Sequence, residues 1–324
     1  MKEFEKINKG FNAAFQAGRL GIGLVVPIEN YEKGPVPSMK EHVEMAQLAD
    51  EMGFKSLWVR DVPFNVPSFG DAGQTFDPFT YLGYLSAVTH NIALCVGSIA
   101  LPLHHPLHVA KSAATIDQLS GGRLILGVAS GDRPQEYPAM GIDFEERGEL
   151  FRQSFSYIRQ AAEDFPHSEE STYGQYNGQM DVLPKPTGHK IPMLVTGHSR
   201  QSLDWIAKEG DGWLYYPRNI GQQLYTINQW RDKIPTQQAF DKPFAQPLYV
   251  DLHEDDDYKP VPIHLGFRIG MKYLIEFFRL LQNVGVNQVL INLRFNSAPM
   301  ASSMEKIATH LMPHFHIKEE NISA

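Results

Sequence analysis

The chain alternates short, nearly unbroken apolar runs with longer stretches whose apolar residues recur every three or four positions. The runs cover 20–26, 55–60, 92–96, 123–128, 191–196, 212–216, 245–252 and 288–293. They are short and bounded by turn residues, so each predicts a strand. Helical periodicity fills 38–53, 76–90, 106–121, 143–164, 199–209, 220–233, 265–283 and a last segment from about Pro299. Local punctuation agrees. Ser38 with Glu41 makes a capping box, Gly53 closes that helix, and Pro106 opens another that stops at Gly121-Gly122. Strands without polar alternation are buried on both faces, which calls for a parallel sheet covered by helices. Eight strand–helix units predict a closed (β/α)8 TIM barrel, with an open doubly wound sheet as the alternative. One stretch breaks the alternation. Asn177-Gly178, between short β-like segments over 173–181, predicts a tight hairpin inserted between the fourth helix and the fifth strand. No linker is visible, so 1–324 reads as a single barrel domain.

Charge and cysteine content narrow the function. With 29 basic against 37 acidic residues the net charge is −8, which argues against a broad nucleic-acid-binding face. No run approaches the roughly 18–20 apolar residues of a membrane helix, and the N-terminus lacks a secretory pattern. Cys95 stands alone in an apolar run, so no disulfide framework or cysteine metal site is expected. A cytoplasmic protein without membrane or nucleic-acid partners is the expectation.

In such a barrel the chemistry sits just after each strand. The segment Thr196-Gly197-His198-Ser199-Arg200-Gln201-Ser202 lies at one of these places. Gly197 permits a tight turn, and a helix start with Ser199 and Ser202 three residues apart suits a phosphate. The alternative is that Ser199 merely caps its helix. Small residues in Gly127-Val128-Ala129-Ser130-Gly131 would let a planar group approach the backbone, with Arg133 to offset negative charge, but the segment is neither a P-loop nor a dinucleotide fingerprint. His104, His105 and His108 invite a metal reading, yet Pro106 interrupts them and no carboxylate completes a ligand set. An acid/base role for one of them stays open. The acidic run 251–257 lacks the glycine and closing glutamate of a calcium loop and reads as a solvated loop. Asp61 follows the second strand and suits catalysis or an ordinary turn equally.

The sharper expectation comes from resemblance. Leu101-Pro102 with His105-Pro106, then 117–123, 127–131 and 141–147, is similar to the luciferase-like monooxygenase family. Leu183-Pro184-Lys185-Pro186, Ile191-Pro192 and Gly197-His198-Ser199 continue the match in order, so that it spans about 21–293. The resemblance implies the same barrel, binding reduced FMN or a deazaflavin coenzyme at its C-terminal mouth. It implies a flavin phosphate against Ser199 and Ser202, and an isoalloxazine against a bulge at Gly97-Ser98 that contains a cis peptide. Ser130 and Tyr137 are placed along the cofactor pocket, and Gly197 and His198 in the phosphate turn. A separate flavin reductase, a small organic substrate and a homodimer are the implied partners. Where the luciferases carry a histidine after the second strand this chain has Val62, so light emission is not expected. Asp61 and His105 remain as acid/base candidates. A deazaflavin-dependent hydride-transfer enzyme and a non-catalytic flavin-binding protein are the competing readings.

Overall fold

The computed structural model describes residues 2–31 and 33–315. Every apolar run named above forms a strand: β1 Gly21–Val25, β2 Ser56–Val59, β3 Ala93–Ala100, β4 Leu124–Ala129, β5 Met193–Thr196, β6 Gly212–Leu214, β7 Phe244–Leu252 and, last in the chain, β10 Gln288–Asn292. Each of the eight is parallel to its neighbours, and β10 pairs with both β1 and β7, which closes the barrel. The open-sheet alternative is excluded.

Both faces of the strands are buried, for different reasons. Ile22, Leu24, Leu57, Val59, Leu94 and Val96 point outward into the core beneath the helices. Val25, Trp58, Ala93, Cys95, Ile125 and Leu290 belong to a second, inner cluster. Trp58 is the large inner residue. Its indole nitrogen donates to Ser56 Oγ at 2.8 Å, and Gly23 leaves room for that hydroxyl: a Cβ there would stand 2.1 Å from it.

The helices are α1 Lys9–Ala14, α2 His42–Glu51, α3 Pro78–Val88, α4 Pro106–Leu119, α5 Glu136–Ala139, α6 Arg147–Gln160, α7 Leu203–Glu209, α8 Ile220–Arg231, α9 Met271–Asn283 and α10 Met300–Lys306. Short α1 was not legible in the sequence. Asn8 caps it, accepting from Phe11 N–H, and it seats Phe11 and Phe15 beneath the inner cluster at the N-terminal ends of the strands.

Four local expectations are corrected. The Ser38–Glu41 capping box does not form, because the Ser38 N–H donates to the Glu29 carboxylate at 2.6 Å and α2 starts at His42. The excursion after α6 reverses near 171–174 rather than at Asn177-Gly178: Asn177 instead bridges His167, and Ser171 pairs with Gly174. The helix expected to begin at 199 begins at Leu203, capped by Ser202. The helix expected over 265–283 is preceded by an antiparallel pair, β8 Val261–Ile263 and β9 Gly266–Ile269. That pair extends the upper half of β7, where Tyr249 to Leu252 runs alongside Gly266 to Ile269.

Candidate active site at the C-terminal mouth of the barrel

At the C-terminal ends of the strands lies a cavity of about 440 Å³, within the range of small-molecule sites. Trp58, Val25, Leu214 and Leu290 contribute to its apolar lining. Leu265, at the tip of the β8–β9 turn, also reaches it.

One wall is the upper part of β3. Between Val96 and Ile99 the register against β4 slips by one residue, a bulge that falls on Gly97 and Ser98. The peptide between these two is cis, as the resemblance implies. Both line the cavity, and Ser98 Oγ donates to Thr196 Oγ1 at 2.5 Å, tying the bulge to the end of β5. A Cβ at Gly97 would stand 3.1 Å from the Trp58 ring, so a side chain there would have to push the indole back.

Beside it lies the turn after β5. Gly197, Ser199 and Arg200 all have left-handed backbone conformations, with φ of 57°, 46° and 60°. Such curled segments turn successive N–H groups toward a common side, a geometry suited to an anion. Ser199 is buried and donates to the Thr196 carbonyl at 2.7 Å. His198 is exposed, with its ring against Trp213 and Tyr215. Gly197, His198 and Ser199 line the cavity; Ser202 does not, because its hydroxyl accepts from Trp205 N–H as the cap of α7.

Ser130 lines the cavity after β4. Tyr137 lies behind it, fully buried, its hydroxyl donating to the Ser130 carbonyl. Asp61 lines the cavity as well. His105 does not: it caps α4, accepting from Leu107 N–H at 3.2 Å, and opens onto an outer groove beside Tyr157 and Tyr173. The histidine that meets Asp61 is its neighbour, His104, whose Nε2 lies 2.7 Å from Asp61 Oδ2. Burial alone would lower the His104 pKa, but the hydrogen bond and charge of Asp61, with Asp77 adding, hold it above the ordinary imidazole value.

Sequence reasoning also missed two charged groups at the mouth. In the first, Asp71 receives Arg60 in a two-pronged pair at 3.0 Å each and Arg294 at 3.0 Å. Tyr31 donates to the same carboxylate at 3.1 Å, and Gly73 N–H at 2.9 Å. Burial works to raise the Asp71 pKa, but Arg60, Gly73 and Arg294 together hold it below the usual carboxylate value. In the second, Glu136 lines the cavity beside Arg133, with Nη1 to Oε1 at 3.9 Å, and burial pushes its pKa up. Its Oε1 has no hydrogen-bond partner. Arg60 and Asp71 share the loop after β2, and Arg294 reaches them from the loop after β10, a meeting visible only in three dimensions. Among the described residues no three His, Cys, Asp or Glu side chains converge as a metal site. No described helix is long and apolar enough to cross a membrane.

Comparison with known proteins meets this geometry from outside. The family model described as luciferase-like monooxygenase matches residues 20–243. An uncharacterized protein of Mycobacterium tuberculosis is 34% identical over 194 residues, which are 54% of this chain and 67% of that protein. A monooxygenase from Streptomyces bottropensis superposes with a TM-score of 0.74 at 20% identity, covering 91% of this chain and all (100%) of the other. An F420-dependent secondary alcohol dehydrogenase gives 0.72 at 16%, covering 92% and 100%. The oxygenating constituent of 3,6-diketocamphane monooxygenase from Pseudomonas putida, in complex with FMN, gives 0.72 at 15%, covering 93% and 100%.

Proposed function

The chain belongs to the luciferase-like monooxygenase family, and from that premise we propose that it is a monooxygenase that uses reduced FMN and oxygen on a small organic substrate. The observation that carries the reading is that the Gly97–Ser98 bulge and the turn at Gly197–Ser199 line one cavity side by side, joined through the Ser98–Thr196 hydrogen bond. A flat ring system fits the small-residue bulge at Gly97 and Ser98, and a phosphate fits the curled backbone next to it.

In this reading Gly97, Ser98 and Ser130 hold the ring, and Gly197, His198 and Ser199 hold the phosphate. Tyr137 and Ser202 act one layer behind: Tyr137 fixes the Ser130 backbone, and Ser202 fixes the start of α7. Bound reduced FMN supplies two electrons to oxygen. The chain's own part is to orient the ring, exclude water and move protons. Trp58, Leu214 and Leu265 supply an apolar lining for exclusion. Asp61 is the acid/base group in this reading, supported by its place on the cavity and by the His104 Nε2 that lies 2.7 Å from its Oδ2. A separate reductase delivers the reduced flavin, and two copies of the chain form a dimer.

Hydride transfer with a deazaflavin is the second reading, favoured by the equal likeness of the F420-dependent alcohol dehydrogenase. An anaerobic fluorescence titration with reduced FMN and reduced deazaflavin separates the two. Tighter binding of FMN, weakened in a Ser199→Ala/Ser202→Ala double variant, supports the monooxygenase. Preference for deazaflavin selects the second reading, and failure to bind either overturns both.

A further inference from the structure

Outside the barrel, between α3 and α4, runs a groove of about 590 Å³. Phe79, Thr80 and Gly83 of α3 face His108, Lys111 and Thr115 of α4 across it. The groove and the barrel cavity are separated by the end of β3 and the turn that follows, where Leu101 and Leu103 are buried. One hydrogen bond crosses that partition. His104 lines the groove, with its side chain 26% exposed, and Asp61 lines the cavity, with its side chain 3% exposed. Their side chains meet at 2.7 Å. Asp61 is fixed from behind by Ala100 N–H, which donates to the same Oδ2 at 3.0 Å.

We propose that His104 and Asp61 form a proton path from the surface groove to the reaction cavity, with His104 as the relay and Asp61 as the delivering group. This rests on the monooxygenase reading. The imidazole takes up a proton from groove water as its Nε2 proton passes to Asp61 Oδ2. Asp61 then gives that proton to the reacting group, and the ring resets through solvent on the groove side. Oxidation of an anionic reduced flavin by oxygen needs such a delivery. The flavin gives two electrons and one proton, and one further proton completes hydrogen peroxide. A cavity built to exclude water cannot supply that proton freely.

The surroundings suit this direction of transfer. On the groove side His104 shares the lining with Asp77, His105, His108 and Lys111. On the cavity side Asp61 shares the lining with Arg60, Asp132, Arg133 and Glu136. Burial lowers the His104 pKa, but Asp61 and Asp77 outweigh it and raise the ring's affinity for a proton.

A merely structural ion pair would brace the loop after β2 and do nothing more. Replacing His104 with Gln keeps a hydrogen-bond donor but removes the titrating ring. The test mixes the FMN-loaded, reduced protein with oxygen in a stopped-flow instrument and follows the return of oxidised flavin absorbance. FMN affinity should be unchanged in His104→Gln, while oxidation slows by about 100-fold, the scale of a lost general acid. In His104→Ala added imidazoles should restore the rate, in order of their acidity; in Asp61→Asn they should not. His108→Ala, altered in the same groove, should behave as the unaltered protein. In the flavin-free protein, the NMR titration midpoint of His104 should fall when Asp61 becomes Asn. An unchanged rate in His104→Gln with FMN still bound, or a slow His104→Ala that imidazole does not rescue, overturns the relay alone. Failure of the unaltered protein to bind FMN overturns the monooxygenase reading, and the relay falls with it.

Discussion

The two ends of the barrel are closed by opposite kinds of chemistry. At the N-terminal end, α1 presses Phe11 and Phe15 against the inner apolar cluster, with ring centroids 5.1 Å apart. At the C-terminal end the strands finish on Arg60, Asp61, Ser98, Ser130 and Asn292 around a cavity. The first end is a seal that needs only volume and shape. The second holds charges away from bulk water, and it does so by pairing them: Arg60 and Arg294 with Asp71, His104 with Asp61, Arg133 with Glu136. Stability gathers where packing is complete, and chemistry where polar groups converge on open space.

Truncating the seal should have the largest effect. Phe11 is 1% exposed, so Phe11→Ala should cost about 3–5 kcal/mol in urea unfolding through lost contact and the cavity left behind. Reduced-FMN affinity of the folded fraction should stay unchanged; a large fall would mean the two ends are not independent.

Next in size is Asp71→Asn at the mouth. It leaves two arginines without their shared carboxylate and should cost about 3 kcal/mol. Its folded pKa is depressed, so the stability it contributes is present above its unfolded value of about 3.9 and is lost as pH falls through the folded value. The variant should therefore lose part of its acid-unfolding slope, measurable by denaturant titration between about pH 5 and 2.

A smaller change should appear at the β5 turn. Ser199→Ala should weaken reduced FMN by about tenfold, or ~1.4 kcal/mol, through one lost hydroxyl near the phosphate. Stability should change little, which would separate binding at the mouth from packing at the seal.

The smallest effect is on pH dependence. His104 has a raised folded pKa, so its pairing stabilises fully below about pH 6.5 and is lost as pH rises through the folded value. Asp61→Asn should flatten that part of the stability profile, and an unchanged slope would mean the pair contributes nothing to folding.

The same contrast explains what could be read in the sequence. The barrel was legible because each strand is apolar on both faces, and a run such as Leu124 to Ala129 has few other uses. The β8–β9 pair was not, because Val261 to Ile263 and Gly266 to Ile269 are largely exposed or half-buried and carry no unbroken apolar run. Helix α1 escaped because six residues carry too little periodicity to register. At the site, Gly197-His198-Ser199 stood out as a motif, since small residues at a strand end leave a mark in the sequence itself, whereas the Gly97-Ser98 bulge was implied by the family resemblance. Choosing between His104 and His105 needed the structure. Only the turn after β3 decides which imidazole faces Asp61, and the neighbouring ring is spent on capping α4. The hold of Arg294 on Asp71 was hidden for the same reason: a charge partner brought in from a distant loop has no spacing to read.

The most direct test of the central claim is a crystal structure of the protein soaked with FMN. The account predicts the isoalloxazine against Gly97 and Ser98 and the phosphate at the turn formed by Gly197, His198 and Ser199. A flavin seated in the outer groove, or a phosphate held anywhere but that turn, would contradict it.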